Sequence, residues 1–232
     1  MPGVITRGRG IAAALPTAGR TAAALKVTDG TTFLDIRVAR LGGTLLRVST
    51  PDAALVRPVL SGSAPITLAL APAAAGQAAA AGQAAGPGRS PGAVAVLLNS
   101  AVTWSLDLAG GTSYTVADLR GGKVGGIAVT AGSDVLDVSL PRPSGTLPFL
   151  LAAGVSQFLL SLPGGIPAQV TVGGGASFVT LGNQTLTGIA GGTVLTPPGW
   201  ATATSRFDID AASGFSRLTV SRWQPPGPGA GS

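Results

Sequence analysis

Two aspartates are the residues of this sequence most suited to catalysis or metal binding. Asp208 and Asp210 stand two residues apart, which puts both side chains on one face of a β-strand. Paired carboxylates at a fixed separation can hydrolyse a glycosidic bond, and carboxylate oxygens also bind calcium. We expect neither activity, because the spacing fits two aspartates on the solvent face of a strand with Ile209 directed inward. The Gly-Gly-x-Gly-x-Asp repeat of calcium-binding β-rolls is absent from the sequence.

Glycine runs and serines match catalytic motifs only in part. Residues 121–123 read Gly-Gly-Lys, but Ala117 stands where a phosphate-binding loop needs its first glycine, and Val124 stands where it needs Ser or Thr. Ser177 and Ser216 each follow Gly-x, yet neither has the second glycine of a nucleophile elbow. We interpret these glycines as turn residues.

The composition excludes most of the remaining site chemistry. The chain of 232 residues has no His and no Cys, and all nine of its acidic residues are Asp. Catalytic sites that use His or a Cys nucleophile, the usual zinc sites and disulfides therefore cannot form. We expect no catalytic residue, no cofactor and no metal ion, and so no enzyme.

The positive charge is spread along the chain. The formal net charge is +6, yet the arginines are scattered, as at Arg37, Arg40 and Arg47, and no basic run interleaves with aromatic residues. This pattern is typical of a solvated surface, and we expect no nucleic-acid partner.

No segment reads as a membrane span or a clear export signal. The longest apolar stretch, residues 147–155, is broken by Pro148, whereas a spanning helix needs about 20 residues. The apolar residues 11–15 resemble the centre of a signal peptide but end at Pro16. We expect no transmembrane segment, and this reading alone predicts a cytoplasmic location.

One glycine-centred pattern repeats along the chain. Around Gly132, Ile127 and Val129 lie five and three residues before the glycine, and Leu136 and Val138 lie four and six residues after it. Similar patterns surround a set of glycines that we interpret as structural turn residues: Gly30, Gly111, Gly132, Gly154, Gly175 and Gly214. The spacings from Gly111 to Gly175 are 21, 22 and 21 residues.

The repeat predicts an all-β fold. Each unit reads as strand, glycine turn and strand, and stacked units bury one continuous apolar side. We therefore predict a parallel β-solenoid with repeats of about 21 or 22 residues, and an antiparallel β-sandwich is the alternative. Residues 21–223 form the predicted single domain, interrupted by an Ala/Gly/Pro insertion at 71–92. We expect residues 1–20 and 224–232 to be disordered.

Three tryptophans could stack on sugars, but their positions favour packing. Trp104 shares the inward face of Leu106, and Trp200 and Trp223 lie near the end of the array, where they would cap the last coil.

Several phrases resemble one known family. Residues 104–111 (WSLDLAGG), 118–119 (DL), 140–145 (LPRPSG) and 173–177 (GGGAS) resemble the repeat of the toast-rack adhesin-like proteins of bacteria, many of them actinobacterial. The resemblance covers residues 94–185, and more loosely 25–70. It implies a parallel β-solenoid of the cell envelope, with no enzymatic residues to transfer.

These observations lead to a non-enzymatic prediction. The leading hypothesis is a structural or adhesin-like scaffold of the bacterial envelope that forms homo-oligomers through its solenoid ends. The alternative is a module that binds glycans or envelope polymers. A glycan-cleaving β-helical enzyme would need outward carboxylates at one height on several coils, and we expect Asp35, Asp137 and Asp208 to form no such stripe.

Overall fold

The computed structural model describes residues 12–51, 56–72 and 92–224. These residues form strands and no helix. The strands are β1 (Ala12–Pro16), β2 (Ala22–Val27), β3 (Thr31–Ala39), β4 (Thr44–Ser49), β5 (Val56–Ser61), β6 (Ile66–Pro72), β7 (Ala93–Asn99), β8 (Thr103–Leu108), β9 (Thr112–Asp118), β10 (Lys123–Val129), β11 (Ser133–Ser139), β12 (Thr146–Leu151), β13 (Val155–Pro163), β14 (Ala168–Val172), β15 (Ala176–Leu181), β16 (Gln184–Ile189), β17 (Thr193–Leu195), β18 (Arg206–Ala211) and β19 (Phe215–Trp223).

The strands form two sheets. The ten-stranded sheet A has the order β1-β4-β7-β3-β9-β11-β13-β19-β15-β16, and the nine-stranded sheet B has the order β5-β6-β2-β8-β10-β12-β18-β14-β17. Among the described strands, pairing is parallel through the middle of both sheets, and antiparallel pairs occur only toward their ends. The predicted all-β parallel solenoid is confirmed, and the antiparallel sandwich is wrong.

The described strands form seven coils that stack along the solenoid axis. In each coil a strand of sheet B precedes a strand of sheet A, and the axial order is the same in both sheets: β6/β7, β2/β3, β8/β9, β10/β11, β12/β13, β18/β19 and β14/β15. Residues 73–91, between β6 and β7, lie outside the described part of the chain. The sheets therefore advance together, as a solenoid requires.

The axial order departs from the order in the sequence at both ends. The coil β6/β7 lies outside β2/β3, and the last coil in the sequence, β18/β19, inserts between β12/β13 and β14/β15. Ser161 consequently lies beside Ser221 in the sheet, and their hydroxyls are 2.7 Å apart. The repeat of 21 or 22 residues thus joins neighbouring coils only in the middle of the stack.

The core lies between the two sheets. Alternation directs every second side chain inward, so that in β18 Phe207 and Ile209 are buried while Asp210 is exposed. Phe149 and Phe158 stack across the core with ring centroids 5.1 Å apart. Each fully buried side chain of this size contributes roughly 1.5–3 kcal/mol of hydrophobic stabilisation.

One predicted disordered segment contains a strand. Residues 12–16 of the expected disordered N-terminus form β1, which pairs antiparallel with β4 and packs Leu15 against the core. An edge strand gains its order from this pairing, which local composition does not reveal. Residues 1–11, 73–91 and 225–232 lie outside the described residues, and the proposed domain limits stay predictions there. No helix in the described ranges is long and apolar enough to cross a membrane.

Candidate functional site

The structure places the six turn glycines in one row along the solenoid axis. Each lies between a strand of sheet B and a strand of sheet A, and backbone hydrogen bonds link successive turns. The Thr31 N–H donates to the Gly111 carbonyl at 3.0 Å, and the Thr112 N–H donates to the Gly132 carbonyl at 3.1 Å. At the far end, the Phe215 N–H donates to the Gly175 carbonyl at 3.2 Å.

These glycines differ in whether the turn requires a glycine. Among the six, Gly175 alone has a positive φ, of 86°. A Cβ on Gly30 would lie 3.0 Å from the Gly111 carbonyl oxygen, so close approach of the coils limits this position. A Cβ on Gly154 would lie 3.8 Å from the Gly214 oxygen, an ordinary contact.

A row of polar side chains follows the glycines. Two residues after each glycine, six consecutive coils carry an exposed side chain with a hydroxyl or a carboxylate: Thr32, Ser113, Asp134, Ser156, Ser216 and Ser177, in axial order. Neighbouring strands are about 4.8 Å apart, so this polar row presents a hydrogen-bonding group at that interval. The sequence contains the signal, since Gly-x-Ser, Gly-x-Thr or Gly-x-Asp recurs in six units, but we did not predict the row from it.

A shallow groove of about 480 Å³ runs along the middle of the polar row. It is lined by Thr112, Gly132, Ser133, Asp134, Gly154, Val155, Ser156, Gly214, Phe215 and Ser216. At the bottom of the groove, the Thr112 hydroxyl lies 2.9 Å from the Ser133 hydroxyl. The Ser133 hydroxyl donates a hydrogen bond to the Val135 carbonyl at 2.9 Å. The floor hydroxyls are thus bonded within the protein, and a ligand would meet the polar row.

A second cluster of polar residues lies on the outer face of sheet A. In register, Asp35 and Asp137 flank Val116, so these two carboxylates share one height on alternate strands. Our expectation that they form no stripe with Asp208 was wrong for this pair, because both lie five residues after a turn glycine. Asp208 lies on sheet B, where it forms no part of the cluster.

Arginines hold two carboxylates of this cluster. The Arg37 Nε donates to Asp35 at 2.9 Å, and the Arg120 Nη2 lies 2.6 Å from an oxygen of Asp118. The hydrogen bonds from Arg120 lower the pKa of Asp118, against the effect of partial burial. Partial burial raises the pKa of Asp137, and the nearby charge of Asp118 raises it further. Carboxylates shifted apart in this way occur in acid–base pairs, but ion-pair networks shift pKa values equally.

The opposite pKa shifts predict opposite effects on stability. Asp118 binds protons more weakly in the folded state, so its stabilising effect is present at neutral pH and is lost as the pH falls through its folded pKa. Asp137 binds protons more strongly, so its ionised form opposes folding at neutral pH. We expect Asp118→Asn to lower the unfolding free energy at pH 7 by about 0.2–1 kcal/mol and Asp137→Asn to leave it unchanged or raise it. Urea unfolding at pH 7 and pH 3 measures this, and equal losses in the two variants would contradict it.

The other candidate residues lie apart. Asp208 and Asp210 are on the outer face of β18 with Ile209 buried between them, as expected. The described residues contain no group of three or more potential metal-ligating side chains. Lys123 opens strand β10, so the Gly-Gly-Lys run leads into a strand rather than the helix of a phosphate-binding loop.

The tryptophans divide between core and surface. Trp104 is fully buried, as predicted. Trp223 ends β19 in the sixth coil and donates its indole N–H to the Leu140 carbonyl at 3.2 Å, so it does not cap the last coil. The expected cap is wrong for Trp223 because the chain inserts β18/β19 inside the stack. Trp200 is half-buried in the β17–β18 connection, where Arg206 lies over its ring at 4.6 Å.

Comparison with known proteins shows the fold. No protein-family model and no curated protein matches the chain. A solved structure described as a "putative cell adhesion protein" from Clostridium sporogenes superimposes with a TM-score of 0.63 at 13% sequence identity, covering 94% of this chain and 99% of that one. At this identity the likeness establishes a common architecture, and the toast-rack and actinobacterial assignments stay predictions.

Proposed function

We propose that this protein is a non-enzymatic, adhesin-like scaffold of the bacterial cell surface. The observation that carries the proposal is the polar row, which repeats one exposed hydrogen-bonding side chain on six adjacent coils. A rigid array of this kind suits repeated contacts with an extended partner. The architecture shared with a protein described as a cell adhesion protein supports the same role. Self-association through the solenoid ends belongs to this proposal.

The groove favours a glycan or a similar envelope polymer as the partner. Ser and Thr hydroxyls both donate and accept hydrogen bonds, as the hydroxyls of a sugar do. The carboxylate of Asp134, in the middle of the groove, accepts hydrogen bonds and disfavours a negatively charged chain. A neutral polysaccharide lying along the axis would therefore meet Asp134, Ser156 and Ser216 in turn.

The polar cluster on the outer face of sheet A supports a non-enzymatic role. Asp35 and Asp118 each bond to an arginine two residues further along their own strand region. A carboxylate that acts as a base or nucleophile needs access to the substrate, whereas these two are held in ion pairs. Asp35 is in addition only 6% exposed.

Removing the polar groups of the groove should weaken polysaccharide binding. We expect the triple variant Asp134→Asn, Ser156→Ala and Ser216→Ala to bind neutral cell-wall polysaccharide at least tenfold more weakly, because each hydrogen bond contributes about 0.5–1.5 kcal/mol. Isothermal titration calorimetry measures the affinity.

A matched control removes the same kinds of groups from sheet B. Ser105, Thr171 and Asp210 lie outside the groove, so the variant Ser105→Ala, Thr171→Ala and Asp210→Asn should bind as the natural chain does. The glycan proposal fails if the natural chain binds no polysaccharide or if both triple variants lose affinity equally.

A further inference from the structure

The two ends of the solenoid differ in how they are protected. At the end formed by β1, β4, β5, β6 and β7, the strands of the two sheets meet, since β5 contacts both β1 and β4. The edge strand β5 carries Arg57 and Pro58, and the edge strand β1 ends at Pro16. Charged residues and prolines on edge strands prevent another chain from adding to the sheet.

The edge strands of the opposite end, β16 and β17, carry no charged residue and no proline. The edge strand β16 pairs with β15, and β17 pairs with β14. Within the described residues no other strand pairs with either of them, and no contact comparable to that of β5 with β1 joins β16 to β17. Strand β16 reads QTLTGI, with neither a charge nor a proline, and Gly188 near its end has a positive φ of 63°. Residues 184–187, before that glycine, have outer N–H and C=O groups that form an open edge.

Exposed apolar side chains gather at this same end. The described residues include four exposed large hydrophobic side chains, and three of them are Phe178, Leu186 and Val194, on β15, β16 and β17. Leu186 pairs with Val179, which is fully buried, so Leu186 points toward the core side of the sheet and is nevertheless 39% exposed. The core is therefore incompletely covered here.

The charge distribution indicates which kind of partner this end would bind. The chain carries a net charge of +6, yet residues 143–205 include no charged residue. This neutral stretch forms β12 to β17 and so includes both edge strands of this end. Two copies of a positively charged chain repel each other, and they do so least when their neutral ends face one another. A strongly charged partner would find no complementary group on these strands.

We propose that the β16–β17 end is an interface for a second copy of this chain, with the two β16 strands paired antiparallel about a twofold axis. Such pairing bonds the open edge of β16 and covers Leu186. Because the opposite end is protected, the assembly closes as a dimer and does not extend into a filament. The inference rests on the proposed self-association and names its surface, partner and stoichiometry. It is independent of polysaccharide binding, so the two proposals can fail separately.

Charged substitutions on β16 test the interface. Light scattering on size-exclusion fractions should give the mass of two 22.5 kDa chains for the natural protein over a hundredfold concentration range. Leu186→Lys and Thr187→Lys should each weaken the dimer about tenfold or more, because like charges would face each other. Both positions are exposed in the single chain, and circular dichroism checks the fold of each variant. Ser61→Lys, on the protected edge β5, is the matched control and should remain dimeric.

A cysteine cross-link identifies the contact directly. The chain has no Cys, so Thr185→Cys or Thr187→Cys introduces a single thiol on β16. Oxidation should give disulfide-linked dimers for at least one of these variants and none for Ser61→Cys. A natural chain that is monomeric at every concentration, masses that grow beyond two chains, or a Ser61→Lys variant that dissociates as readily as Leu186→Lys would overturn the proposal. Cross-linking through Ser61→Cys alone would overturn it as well.

Discussion

Replacing Trp104 with alanine should lower the free energy of unfolding by about 3–5 kcal/mol, as expected for deleting a large buried aromatic side chain. Trp104 is fully buried in β8, which lies between β2 and β10 in sheet B. Its indole N–H donates to the Asn99 carbonyl at 3.0 Å. The substitution would leave a cavity beside three coils and remove this hydrogen bond, and urea unfolding measures the loss.

Two further tryptophan variants separate burial from residue type. Trp104→Phe keeps most of the ring volume, and the Asn99 carbonyl still accepts the Val102 N–H, so its cost should be clearly smaller than that of Trp104→Ala. Trp223→Ala removes a half-buried ring and should also cost less. A loss for Trp104→Ala below about 1 kcal/mol, or one no larger than that for Trp223→Ala, would show that the ring is not a main support of the core.

The solenoid could be predicted from the sequence because its determinants are local. Alternation around Gly132 and Gly154 fixes which side chains point inward, and those glycines lie in neighbouring coils. Most of the fold class and the row of turn glycines follow from this pattern. The family resemblance rests on the same repeated sequence segments, so it adds no independent information about the order of the coils.

The axial order of the coils could not be predicted. Parallel coils with the same alternation fit against one another in many orders, so the repeat alone does not choose among them. Long-range contacts mark the order that forms. The Asn99 side-chain amide donates to the carbonyls of Gly42 at 3.0 Å and Thr44 at 2.7 Å, which joins the end of β7 to the start of β4. Asn99 in isolation reads only as a turn residue.

Part of the candidate site could be predicted from the sequence. The polar row stands at a fixed offset from the turn glycines, and so do Asp35 and Asp137, so a comparison of all offsets would have found both. The ion pairs of Asp35 and Asp118 join residues two apart, which the sequence also contains. The sequence does not reveal that Ser216 lies beside Ser156, because that proximity depends on the insertion of β18/β19 into the stack.

Gly174→Ala should destabilise the fold by about 3 kcal/mol, the upper range for overpacking a dense region. A Cβ at Gly174 would collide with backbone atoms of Ser213 and Gly214, and backbone cannot move aside as a flexible side chain can. Gly154→Ala is the matched control, since its Cβ would meet only the Gly214 oxygen at 3.8 Å and its φ is not positive. That variant should be unchanged or up to about 1 kcal/mol more stable, because alanine restricts the unfolded chain.

The difference between these two glycines also tests how closely the turns of neighbouring coils approach each other. Gly174 precedes β15, and its collision is with the turn before β19, which the sequence places about forty residues later. Backbone lies directly against backbone at Gly174 and leaves no space for a methyl group, whereas the turn at Gly154 stays farther from its neighbour. Thermal and urea unfolding of both variants measures the difference. Equal stability of Gly174→Ala and Gly154→Ala would contradict the close approach of β14/β15 and β18/β19, whereas a selective loss at Gly174 follows from it.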